Sequence, residues 1–226
     1  MGQMKLKNLN KVWVVIPAHN EEKHIEKVIK ETKKFAKNIL VVDDGSKDKT
    51  SALAEKAGIV VLRHIVNLGK GAALKTGCEF AIKKGAEKIV VLDADGQHDP
   101  KEIPEFVKAL DNADIVFGYR RLNRNMPFVL RYGNWFIFFM TKLLFGLKIV
   151  DTQCGYRAFT SNAYNKIKWN AVDYSMESEM VANVGKAHLK YSQIPIETIY
   201  SDKYKGTTVI DGVRIVLNMV WWRFSR

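Results

Sequence analysis

The sequence predicts an α/β fold: a mostly parallel central sheet flanked by helices. Two observations carry this. Short strand patterns alternate with helical patterns of 10 to 15 residues through the first half of the chain, the signature of βαβ units. Polar or charged clusters then fall where four of those strands end, which is where ligands of parallel sheets bind.

The elements follow in order. Val12 to Ile16 is an unbroken β-branched and aromatic run closed by Pro17, a buried-strand pattern. Glu21 to Ala36 carries Ile25, Val28, Ile29 and Phe35 at helical spacing, with acids early and lysines late to match the helix dipole. Strands are expected at Ile39 to Val42, Ile59 to Leu62, Lys88 to Leu92 and Asp114 to Phe117. Helices are expected between them at Asp48 to Ala57, Gly69 to Lys83 and Lys101 to Leu110. The second half is less regular. Met176 to Ala187 reads as a helix, Leu189 to Tyr200 as extended chain, Ser201 to Thr208 as a polar loop and Val209 to Arg226 as a helix. There is no internal repeat and no Pro/Gly-rich linker, so one domain over residues 1–226 is the simplest account.

The chain has 226 residues, enough for one sizeable core and short for two domains. Its formal net charge of +12 suggests an anionic partner. From Ile115 to Val150 there is no acid, while Arg120, Arg121, Arg124, Arg131, Lys142 and Lys148 all fall there. Cys78 and Cys154 have no metal-ligand spacing and read as free thiols of a reducing compartment, with a single disulfide as the alternative. Met1 to Lys11 is polar and basic, unlike a signal peptide. The most apolar stretch, Tyr132 to Val150, is interrupted by two lysines and falls short of a spanning helix. Its aromatic start (Trp135, Phe136, Phe138, Phe139) fits either an interfacial segment or a buried helix. The C-terminal helix, with Trp221 and Trp222 near Arg223, offers the same two readings: membrane contact, or a core or dimer face.

Two acidic strand ends carry the chemistry. Asp93 and Asp95, one residue apart after Ile89-Val90-Val91-Leu92, suit a hard divalent cation whose other positions go to water and phosphate. Without such a cation the pair would repel. Asp43-Asp44-Gly45-Ser46 is either a tight turn with a helix cap or a carboxylate for a base or ribose. Asn20 and Glu21 have the same two readings, cap or ligand. Asn67-x-Gly69-Lys70-Gly71 lacks full P-loop or dinucleotide spacing, so its glycines read as a turn and close helix packing with Lys70 near a ligand.

In order, Val15-Ile16-Pro17-Ala18-His19-Asn20-Glu21, Val42-Asp43-Asp44-Gly45-Ser46, Asn67-x-Gly69-Lys70-Gly71, Asp93-Ala94-Asp95-Gly96-Gln97-His98 and Asp151-Thr152-Gln153-Cys154-Gly155-Tyr156-Arg157 resemble the successive motifs of family 2 glycosyltransferases. The match resembles the polyprenyl-phosphate branch, which includes dolichyl-phosphate mannose synthases, and covers roughly residues 12 to 200. The resemblance implies the Rossmann-like GT-A fold, with residues 12–118 as the nucleotide-sugar half and 119–226 as the acceptor half. It implies an inverting transfer from a UDP- or GDP-sugar to a polyprenyl phosphate, with Mg²⁺ or Mn²⁺ as cofactor.

By the same resemblance Pro17, Ala18, His19 and Glu21 would line the nucleotide, and Asp44 would meet the base or ribose. Asp93 and Asp95 would hold the diphosphate through the metal, with Ala94 and Gln97 beside them, and Arg120 would lie near the donor. His19 replaces the commoner tyrosine, which leaves the base open. Arg131 matches the position that binds the acceptor phosphate, with Arg121 and Arg124 as backups; an arginine fork suits phosphate oxygens. Glu179, next to Glu177, would serve as the base for a hydroxyl acceptor, would position the sugar for a phosphate acceptor, or is only a first-turn charge. Lys205, with Lys203 and Gly206, would close over the diphosphate. A peripheral site on the inner face of the cell membrane, in contact with the cytoplasm, is expected. Nucleic acid is not, because acids on a phosphate-binding face repel it. A glycan acceptor, and a nucleotidyltransferase, are the rival enzyme readings.

Overall fold

The computed structural model describes residues 10–120, 128–197 and 209–224. In chain order the elements are β1 (Val12–Ala18), α1 (Ile25–Thr32), β2 (Asn38–Asp43), α2 (Thr50–Lys56), β3 (Val60–Arg63), α3 (Lys70–Lys83) and β4 (Lys88–Val91). A 3₁₀ turn at Pro100–Glu102 leads into α4 (Ile103–Ala109), then β5 (Ile115–Arg120) and α5 (Phe128–Phe145). The rest is β6 (Arg157–Thr160), α6 (Ser161–Ile167), α7 (Met176–Lys186), β7 (Tyr191–Ile196) and α8 (Val209–Phe224).

The strands form a 7-stranded sheet in the order β3-β2-β1-β4-β6-β5-β7. All neighbours are parallel except β6, which runs antiparallel to both β4 and β5. The unbroken apolar run in β1 is explained by burial on both faces. Val14 and Ile16 join one core layer with Ile25, Ile29 and Phe106. Val15 joins the opposite layer with Leu74, Cys78, Phe117 and Met180. Cys78 and Cys154 are both buried free thiols.

Several boundaries differ from the sequence expectation. Pro17 does not end β1; the strand continues to Ala18, in register with Asp43. Val15 O accepts the last bond from the β4 side, from Leu92 N at 3.4 Å. Pro17 comes two residues later on that same side, where no rung remains to need its missing N–H. Helix α1 begins at Ile25, not Glu21, because the intervening backbone is used elsewhere. Asn20 turns at φ 56°. The amides of Glu21 and Glu22 then donate to Thr50 Oγ1 and Asp48 Oδ2, at 2.8 and 3.0 Å. Neither β6 nor α6 was legible, since a four-residue strand running straight into a seven-residue helix is too short to carry a periodicity.

Strand β6 positions the site. Running antiparallel, it brings its first residue, Arg157, level with Val91 and Phe117 near the carboxyl ends of β4 and β5. Arg157 is buried, and its guanidinium donates to Cys154 O (2.9 Å), Thr152 O (2.7 Å) and Glu177 O (2.8 Å), with Phe117 packed on its face. One side chain thus ties the 152–154 loop to the start of α7.

Helices α5, α7 and α8 pack together beside this sheet, α5 and α8 around Ile137, Ile215 and Met219. Among the described residues no helix is long and apolar enough to cross a membrane.

Replacing Arg157 with Met keeps its bulk but removes the buried donor to the carbonyls of Thr152, Cys154 and Glu177. We expect a loss of about 2–4 kcal/mol of unfolding free energy, read from the midpoint of a urea melt.

Candidate active site

The polar strand ends meet at one edge of the sheet. The loops after β1 and β2 are laced together. Ala18 O accepts from Asp44 N at 2.8 Å, Ser46 Oγ from Asn20 N at 2.9 Å, and Asn20 Oδ1 from Lys47 N at 2.9 Å. Pro17 and Ala18 are buried beneath them. His19 is exposed above; its Nδ1 donates to Asp44 O at 2.8 Å, which leaves Nε2 to accept from Asn20 Nδ2 at 3.0 Å. Glu21 folds back onto its own turn, 2.9 Å from His24 Nδ1.

Asp44, expected at the base or ribose, lies beneath the loop after β3. It is buried, and both oxygens are engaged. Oδ1 accepts from Leu68 N (3.0 Å) and His64 Nδ1 (2.7 Å), and Oδ2 from Gly69 N (2.7 Å). Asp44 therefore shapes the loop that delivers Lys70. Asp43, its neighbour, is the turn residue, accepting from Ser46 N at 3.0 Å.

The centre of the site is Asp93. Lys70, the first residue of α3, places its ammonium 2.7 Å from Asp93 Oδ1 and 2.9 Å from Glu177 Oε1, with the Tyr174 ring 5.6 Å away. Burial by itself would lift the Asp93 carboxyl, but Lys70, then His98 and Arg157, hold it below the usual carboxylate range. Burial also works against the Lys70 ammonium, and the two carboxylates outweigh it and raise Lys70 above its ordinary value. Gly155 makes the arrangement possible: a Cβ there would stand 2.5 Å from Asp93 Oδ2 and 2.9 Å from Lys70 Nζ.

The residues around Asp93 are held from both sides. Asp95 Oδ1 accepts from Gln97 N at 3.0 Å, and Ala94 is buried between the two acids. His98 Nδ1 accepts from Asp93 N at 3.2 Å, and its ring stacks on Tyr156, which stacks on Phe106. Burial pulls the His98 imidazole below its ordinary value, against the pull of Asp93, so it is neutral and suited to accepting. Arg120 makes a two-point pair with Asp151, at 2.7 and 3.1 Å. It is thus anchored at the rim of the 152–155 loop.

The two neighbouring glutamates at the start of α7 face different partners. Glu179 is buried, and its carboxylate accepts from Asn170 N at 3.0 Å and Ala171 N at 2.8 Å. It secures a loop and is not placed as a base. Glu177, two residues earlier and so on another face of α7, is the acid that enters the site. Its Oε1 meets Lys70, and its Oε2 is buried with no hydrogen-bond partner. The loop that Glu179 secures presses on the start of α3. Gly71 N donates to Val172 O at 2.7 Å, and Trp169 Nε1 to Gly71 O at 2.9 Å. A Cβ on Gly69 or Gly71 would lie 2.3 or 2.2 Å from a carbonyl oxygen of that loop.

Arg131 lies on α5, with its side chain outside the described residues, as are Arg121, Arg124, Lys203, Lys205 and Gly206. The apolar outer faces of α5 and α8 are described. Trp135 is 60% exposed and stacks on Phe139, while Trp221 is 71% and Phe224 80% exposed.

These observations agree with the comparisons to known proteins. Residues 13–168 match the model of glycosyl transferase family 2. The chain is 31% identical to a UDP-N-acetylglucosamine–dolichyl-phosphate N-acetylglucosaminyltransferase of Methanococcus voltae, over 95% of this chain and 97% of that one. It is 25% identical to an undecaprenyl-phosphate mannosyltransferase of Micrococcus luteus, over 94% and 93%. Its fold matches the crystal structure of glucosyl-3-phosphoglycerate synthase from Mycobacterium tuberculosis with Mg²⁺ and uridine diphosphate. The TM-score is 0.75 at 20% identity, covering 94% of this chain and 79% of that one. With a seven-stranded GT-A sheet, an acidic β4 end and this match over most of its length, the chain belongs to glycosyl transferase family 2.

Proposed function

We propose that the protein transfers a sugar from a UDP- or GDP-sugar to a polyprenyl phosphate, with inversion at the anomeric carbon. One observation carries this reading: the Asp93 carboxylate stands just beyond β4, and its buried Oδ1 makes no aligned hydrogen bond. The similarity to lipid-phosphate sugar transferases supplies the acceptor class.

The side chains present fit a divalent cation brought in with the donor. Asp93 Oδ1 is buried and makes no aligned hydrogen bond, although Lys70 stands beside it. Among the described residues no cluster of three ligating side chains exists, so two carboxylates with water and diphosphate would complete the shell. That set suits Mg²⁺ or Mn²⁺, held by Asp93 and Asp95. When bound, such a cation offsets charge on the departing diphosphate. The chain's own groups position the reactants. Pro17, Ala18, His19 and Glu21 frame the nucleotide, Gln97 steadies Asp95, and Arg120 and Lys205 serve the donor. Arg131 holds the acceptor phosphate, whose oxygen attacks the anomeric carbon opposite the nucleotide.

The placement of Glu179 favours a phosphate acceptor over a hydroxyl one. A hydroxyl needs a base at neutral pH, and the Glu179 oxygens are taken by two backbone amides. Glu177 Oε1 is already engaged by the Lys70 ammonium at 2.9 Å. A phosphate acceptor is already anionic and needs neither.

The exposed aromatic faces of α5 and α8 would lie in the headgroup region of a membrane, with the lipid phosphate delivered along α5. The attachment is peripheral, at the inner face of the cell membrane.

Purified protein incubated with Mg²⁺, a panel of UDP- and GDP-sugars and polyprenyl phosphate should yield a glycosylated lipid, detected by mass spectrometry. Release of nucleotide without a lipid product would move the acceptor to a hydroxyl compound. Asp93→Asn and Asp95→Asn should each cut transfer by about 10²–10³-fold while circular dichroism stays unchanged. Co-sedimentation with anionic vesicles should weaken at least about tenfold in Trp135→Ser/Trp221→Ser, since a buried aromatic side chain contributes about 1.5–3 kcal/mol. Unchanged sedimentation would remove these helices from the membrane contact.

A further inference from the structure

Lys70 occupies an unusual position for a cation. Its side chain is only 13% exposed, and its ammonium bridges Asp93 and Glu177. Gly155 leaves the room it occupies, since a Cβ there would stand 2.9 Å from the ammonium. Every support of the site converges on this bridge: Asp44 holds Gly69 N, Val172 O holds Gly71 N, and Arg157 holds Glu177 O. Yet Asp93 is also the carboxylate that would hold a divalent cation, and an ammonium at 2.7 Å occupies its Oδ1 side. Two cations cannot share that oxygen at such range without strong repulsion. The structure also provides an alternative berth. Glu177 Oε2 is buried and has no hydrogen-bond partner, so Glu177 can accept a second bond from an ammonium it already touches.

We propose that Lys70 is a resident counter-cation that competes with the divalent ion for Asp93, and that Glu177 is the positioning residue that draws it aside. Lys70 neutralises Asp93 in the metal-free protein. When Asp93 takes its cation, the ammonium shifts onto both oxygens of Glu177 and remains in the site as a fixed positive charge. The inference rests on reading Asp93 as a metal ligand.

Mn²⁺ binding to the whole protein tests it, read from the free-Mn²⁺ electron paramagnetic resonance signal with Mn²⁺ alone and with uridine diphosphate. Lys70→Met removes the competitor, and its affinity for Mn²⁺ alone should rise about tenfold. Glu177→Gln removes the alternative berth, and its affinity should fall about fivefold. In the Lys70→Met background, Glu177→Gln should change affinity less than about twofold, because nothing is left to draw aside. Unchanged or weaker Mn²⁺ binding by Lys70→Met overturns the proposal. So does a loss from Glu177→Gln that persists without Lys70, which would make Glu177 a direct ligand. If Lys70→Met does not fold, unchanged or tighter binding by Glu177→Gln in the natural background overturns it alone. Asp93→Asn separates the two readings. If it abolishes Mn²⁺ binding while Lys70→Met leaves the affinity unchanged, only the competition fails; if Mn²⁺ binding does not depend on Asp93, the metal reading fails and the competition with it.

Discussion

Bringing several carboxylates to one edge of a sheet and partly burying them is the constraint around which this protein is built. Each charge would repel the others and lose its hydration, so each must be compensated where it stands. The compensation differs by position. Asp44 and Glu179 are satisfied by backbone amides of neighbouring loops, and Asp44 also by His64. Asp151 is matched by the fork of Arg120. Asp93 and Glu177 share one ammonium, Lys70, and each keeps an oxygen without an aligned hydrogen bond. Asp43 also keeps a buried oxygen without one, next to Arg63, but only Asp93 and Glu177 meet at a shared ammonium.

Asp44 and Glu179 are still part of the active site, because what they hold is Lys70. Glu179 fixes the backbone at Asn170 and Ala171, and the next residue, Val172, receives the amide of Gly71. Asp44 fixes the amide of Gly69. Lys70 is thus clamped by its neighbours on either side, and those clamps tolerate only glycine at 69 and 71. Arg157 performs the corresponding task for Glu177, from a strand that must run antiparallel to reach it. A fixed charge in such a frame needs little reorganisation when the donor's charge changes, which is the condition for electrostatic catalysis.

The acid-free stretch beside this centre has a different character. Helices α5 and α8 bury a narrow seam against each other and leave large aromatic side chains outside.

The sequence by itself determined the fold class, most of the strands and helices of the first half, and the identity of the Asp93 and Asp95 strand end. These are local matters: periodicity, β-branched runs and turn residues act within a dozen residues, and the motifs are contiguous. It also set Lys70 in the same group as the acidic strand end, and its ammonium stands 2.7 Å from Asp93. What it left undecided was the partner of each charge. Glu177 and Glu179 are both acids in the first turn of one helix, and nothing in their local pattern separates them. Only the packing of α7 decides that Glu177 faces Lys70 while Glu179 faces the 170–171 loop. Asp44 likewise reads as a ligand until the loop after β3 folds over it. The role of Arg157 depends on a four-residue strand inserted between β4 and β5, from a point more than sixty residues beyond β4. Such pairings are set by long-range register and burial, and they exist only once the sheet is assembled.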